Sequence, residues 1–121
     1  MKKIIYSITI VLLTTSCAYE SPDDFIEEVV VEEGENITYV SHVKTIIDNN
    51  CLGCHSSPPQ NGAPMSLTSY NDVRSAVLNR DLIELISTQD LSEVMPLGGP
   101  RLPQHLIDLV IRWQQEGFIE Q

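Results

Sequence analysis

Two cysteines stand three positions apart in "NNCLGCHSS", Cys51 and Cys54, and His55 follows the second directly. Thiols and an imidazole at this spacing have four chemical uses. Two thiols can add to the vinyl groups on one edge of a porphyrin while the adjacent imidazole reaches its iron, and Cys-x-x-Cys-His is the attachment signal for c-type haem. A redox dithiol wants the pair at a helix N-terminus after a strand, in a βαβ setting. Structural zinc wants four ligands, usually a second cysteine pair or a spaced histidine pair. A disulfide between Cys51 and Cys54 would consume the thiols and leave His55 without a part.

The remaining sequence weighs these uses. It has no second Cys-x-x-Cys, and His42 and His105 fall in unrelated helical segments, each expected to be exposed. No alternating strand pattern surrounds the motif. The haem reading alone employs all three residues. It implies one covalent haem c on Cys51 and Cys54, with His55 as proximal iron ligand. Gly53 would permit the tight turn between the thiols, and Pro58 or Pro59 would offer a carbonyl to the second ring nitrogen of His55.

The chain begins as exported proteins do. Lys2 and Lys3 precede the apolar run "IIYSITIVLL", and small residues follow. Ten residues rise about 15 Å as helix, half of what a bilayer core requires, so residues 1–16 read as a signal peptide rather than a membrane span. The segment "LTTSC", ending at Cys17, resembles a bacterial lipoprotein box, with Thr14 where leucine is usual. The resemblance implies lipidation of Cys17 and a protein anchored to a bacterial membrane, facing the periplasm or the cell surface. Several acyl chains hold firmly, since each buried methylene contributes about 0.8 kcal/mol.

Without the signal, five basic residues face seventeen acidic ones, a net charge near −12. That balance argues against nucleic acid as a partner. Glu20 to Glu35 holds eight carboxylates and no cation. Residues 17–36 therefore read as a self-repelling, disordered tether. An exported compartment also oxidises lone thiols to disulfides unless something captures them.

The folded part is expected to span residues 37–121 and to be all-α. Val40, Val43, Ile46 and Ile47 recur at helical spacing, with Ser41 as cap, and lead into Cys51. "SSPPQNGAP" is a loop. Ser69 and Asp72 form a capping-box pattern before a helix whose apolar side is Val73, Ala76 and Val77. "RDLIELIS" is a further short helix, and "EVMPLGGPRLP" a second loop. Pro103 suits the first turn of a last helix that carries Leu106, Leu109, Val110 and Trp113 and stops at Gly117. A domain of about 85 residues buries little core, so a cofactor at its centre would supply what its side chains lack.

These pieces, in order, resemble the class I cytochromes c, and more closely the lipoprotein cytochrome c domains of exported bacterial proteins. The matching stretches are "IIDNNCLGCH", "MSLTSYNDV", "VMPLGG" and "LIDLVIRWQQEGF". The resemblance implies a small helical domain around covalent haem, with Met95 of Met95-Pro96 as distal iron ligand. A thioether is a soft ligand, and Pro96, Gly98, Gly99 and Pro100 would hold its loop in place. Met65 is the competing thioether, since ten residues stretch about 33 Å, but it stands where the family has a packing residue. Trp113 would pack on the first helix beside the haem, and Arg74, Arg80 and Arg101 are candidate partners for haem carboxylates.

His/Met ligation would fill the iron's coordination and leave a single-electron carrier, not an enzyme, that serves redox partner proteins. An open or labile sixth position would instead give a haem enzyme or a gas- or peroxide-reactive domain. A Cys51–Cys54 disulfide without haem would give a structural lipoprotein.

Overall fold

The first helix opens at Thr38, whose Oγ1 accepts the Ser41 N–H at 3.2 Å. Thr38, not the expected Ser41, is thus the cap. The computed structural model describes residue 31 and residues 34–121. The signal peptide, Cys17 and the tether up to residue 30 lie outside the described residues. Glu35, at the end of the acidic segment, lies within them, and its carbonyl accepts from Arg112 Nη2.

The chain enters the helix through a wide π-helical turn, Tyr39–Val43, which runs into α1 (Lys44–Asn50). The Val43 N–H reaches back to Thr38 O at 3.3 Å. This turn breaks the 3.6-residue register that the apolar spacing assumes. Val43, Ile46 and Ile47 are buried, but Val40 is 49% exposed. Tyr39 and His42 turn inward instead. His42 is therefore buried, contrary to expectation, and its Nδ1 accepts the Thr38 N–H. His105 is exposed, as expected.

Helix α2 (Tyr70–Asn79) starts on a reciprocal cap. The Asp72 N–H donates to Ser69 Oγ, and the Ser69 N–H donates to Asp72 Oδ2 at 3.0 Å. The Ser69–Asp72 spacing anticipates this pairing, and Val73, Ala76 and Val77 form the buried face. Helix α3 (Leu82–Ser87) follows at once, turning on Asp81, which adopts a left-handed backbone.

Helix α4 (Gln104–Gln115) is preceded by Pro103 as N-cap, one place outside the first turn. It closes on a Schellman motif. Gly117 has φ +87°, its N–H donates to Gln114 O, and the Phe118 N–H donates to Trp113 O at 2.9 Å. The Phe118 and Trp113 rings meet edge to face at 4.9 Å.

Trp113, fully buried, is the centre of the packing. It contacts Tyr39 at 5.9 Å and Tyr70 at 6.0 Å between ring centroids, and its Nε1–H donates to Ile119 O. Helix α4 packs on α3 and on the π-helical turn, and α2 packs on α3. The tail is fastened back to the start, with Tyr39 N donating to Ile119 O and Val40 N to Glu120 O. The fold is all-α, with no strand among the described residues. No described helix is long and apolar enough to cross a membrane.

Candidate functional site

Burial of Ile46 and Ile47 fixes α1, and α1 delivers Cys51 to the edge of the core. The Cys51 N–H continues the helical ladder to Ile47 O, and the Cys54 and His55 N–H groups both donate to Cys51 O at 3.1 and 2.8 Å. The motif is therefore one more helical turn. That corrects the part expected of Gly53: its φ is ordinary, and an added Cβ would meet open space. The turn itself does not require glycine.

The loop after the motif returns to His55. The Leu67 N–H donates to His55 O, and His55 Nδ1 lies 2.8 Å from Met65 O. A carbonyl only accepts, so Nδ1 carries a proton and Nε2 is the ring nitrogen left for another partner. The partner is Met65, not Pro58 or Pro59. Pro58 O is already engaged by Ser56 Oγ and Gln60 Nε2. The reason for the difference is the bond from Leu67 to His55, which draws residues 65–67 alongside the ring.

Met95 arrives on the loop that follows α3. Val94 is buried, and the Met95 N–H donates to Leu85 O of α3 at 2.9 Å. Cys51, Cys54, His55 and Met95 all line one cavity of about 330 Å³. Leu67, Ala76, Leu82 and Ile86 supply buried apolar lining to the same cavity. The volume falls in the range of small-molecule and cofactor sites.

Cys51 and Cys54 are both free thiols. Burial, reinforced by the neighbouring Cys54, pushes the Cys51 thiol up to about 11, so it stays protonated. Asn61 Nδ2 donates weakly to Cys54 Sγ at 3.5 Å. Among the described residues, no three His, Cys, Asp or Glu side chains converge as a metal cluster. Met65, the competing thioether, also lines the cavity.

Trp113 packs against the first helix as expected but does not line the cavity, so it belongs to the core. Of the three candidate arginines only Arg80 lines the cavity. Arg74 lies over the Phe118 ring, and Arg101 donates to Ser87 O and Gln104 Oε1. Sequence reasoning missed the Met65 carbonyl, because a backbone acceptor leaves no mark in residue identity.

The chain was compared with protein-family models, curated proteins and solved structures, and nothing matched in any of the three.

Proposed function

We propose that the protein is a small c-type cytochrome that carries single electrons, held near a bacterial membrane by a lipid on Cys17. The observation behind this reading is the sharing of one apolar cavity by Cys51, Cys54, His55 and Met95. The residues fit a haem. Two free thiols sit one helical turn apart for thioether attachment, and an imidazole has its Nδ1–H occupied and Nε2 available. A methionine on a loop tied to α3 offers a soft thioether. When bound, the haem supplies a one-electron iron couple, and His/Met ligation sets its potential high.

The chain's own residues have defined tasks. The Met65 carbonyl accepts from His55 Nδ1 and fixes the tautomer and plane of the ring. Leu67, Ala76, Leu82 and Ile86 line the cavity with apolar surface, which would lower the dielectric around a bound iron. The Met95–Leu85 hydrogen bond holds the loop that carries Met95, which together with His55 would hold the iron and leave it no open position for a substrate. The acidic surface favours redox partner proteins with basic faces.

Visible spectroscopy on the full chain, produced in a host that attaches haem c, tests this reading. A Soret band, a sharp reduced α-band and a weak far-red Met–Fe band are the expected result. Rapid carbon monoxide binding by the reduced form would point to a haem enzyme or sensor instead. A colourless protein with Cys51 and Cys54 joined would point to a structural lipoprotein.

A further inference from the structure

The loop after the motif makes a tight turn over Cys54. The Gln60 N–H donates to Cys54 O at 2.7 Å, and the Ala63 N–H closes the turn on Gln60 O at 2.9 Å. Asn61 and Gly62 between them hold φ of +52° and +79°. These are the paired positive values of a type I′ turn, for which Asn-Gly is a favoured sequence. The first of the two positions needs a residue that accepts the left-handed region, and Gly, Asn and Asp all do so. Of these three only Asn carries a side-chain N–H. Asn61 Nδ2 uses it, donating to Cys54 Sγ at 3.5 Å. The neighbouring polar groups of the loop, Ser56 Oγ and Gln60 Nε2, are spent on Pro58 O instead.

Asn61 and Cys54 also line the same cavity, so the amide stands at a sulfur that would carry the haem. A thioether sulfur keeps its lone pairs and accepts weakly, which leaves the contact available after attachment. An N–H on that sulfur draws electron density away from the porphyrin edge, and hydrogen bonding around a haem is one of the levers on its potential. We infer that Asn61 donates a hydrogen bond to the Cys54 thioether and thereby raises the reduction potential of the haem. The inference rests on the haem reading above and adds to it a tuning residue outside Cys-x-x-Cys-His.

The test uses haem-loaded full-length protein, comparing wild type with N61G, N61D and Q60A. N61G keeps the turn and removes the amide. N61D keeps the turn and replaces the donor with an acceptor, and Q60A removes a different amide of the same loop. Two quantities are read: the reduction potential from a redox titration, and the C–S stretching modes in the resonance Raman spectrum. N61G is expected to shift one C–S mode and to move the one-electron equilibrium about twofold toward the oxidised form, the scale of a weak hydrogen bond. N61D should move it further in the same direction, and Q60A should change neither. The N61G mode shift should persist in a C51A background, where Cys54 forms the one thioether, and vanish in C54A. An unmoved C–S mode or an unchanged potential in N61G overturns the inference and leaves the haem reading intact, since the turn alone then accounts for Asn61. A mode shift that survives in C54A overturns it too. If N61G loads no haem, N61D decides the matter, and an unmoved C–S mode there overturns the inference. A wild-type chain lacking the mass of haem overturns both together.

Discussion

His55 Nδ1 and the carbonyl of Met65 lie 2.8 Å apart, and this one bond ties the loop after the cysteine motif to the imidazole it serves. Because the acceptor is backbone, the Met65 side chain is free to vary. M65L is expected to leave the His55 tautomer, the visible spectrum and the far-red Met–Fe band unchanged. M95L should abolish that band and let the reduced protein bind carbon monoxide. Equal effects from the two substitutions would mean that the ligand assignment fails.

The two thiols should be separable. C51A and C54A are each expected to retain haem through one thioether, visible as a shifted α-band in the pyridine haemochrome. The double variant should release all its haem to acidified organic solvent. Undiminished covalent haem in the double variant would contradict attachment at these positions.

Stability should depend more on α4 than on the motif. Trp113 is fully buried among Tyr39, Tyr70 and Phe118, so W113A is expected to cost about 3–5 kcal/mol. G117A places a Cβ on a residue with φ +87° and should cost about 1 kcal/mol. Urea denaturation of the haem-loaded protein measures both. A larger loss for G117A than for W113A would contradict this ranking.

The join between the two ends of the chain predicts acid sensitivity. The Ile37 N–H donates to Glu116 Oε2 and Arg112 Nε donates to Oε1. The Ile37 bond chiefly, and the Arg112 contact with it, hold the Glu116 carboxyl below its ordinary range. A lowered folded-state pKa stabilises the fold above the unfolded value, and the contribution is lost as pH falls through the folded one. E116Q should therefore be less stable than wild type near neutrality, and the two should converge in acid. Parallel melting-temperature profiles across the acidic range would argue against the contact.

Much of this architecture is legible in residue order, because the signals involved are local. The Ser69–Asp72 cap, the Gly117 stop and the apolar spacing of α4 each lie within a few residues of the structure they specify. The register of the first helix is not legible, since the π-helical turn that turns Val40 out and His42 in depends on contacts with the C-terminal tail. In the site, Cys51, Cys54 and His55 announce themselves by spacing. Met95 does so only through family resemblance, and the structure adds that it reaches the same cavity. The Met65 carbonyl emerges as a partner of His55 only when the loop folds back on the motif.

The most direct measurement is mass spectrometry of the full chain matured in a haem-attaching host, combined with tryptic mapping. Cleavage after Lys44 and Arg74 releases a single peptide containing Cys51, Cys54 and His55. The account predicts that this peptide carries the mass of one haem and that the intact protein carries no second one. The same peptide recovered without haem, with Cys51 and Cys54 joined to each other, would contradict it.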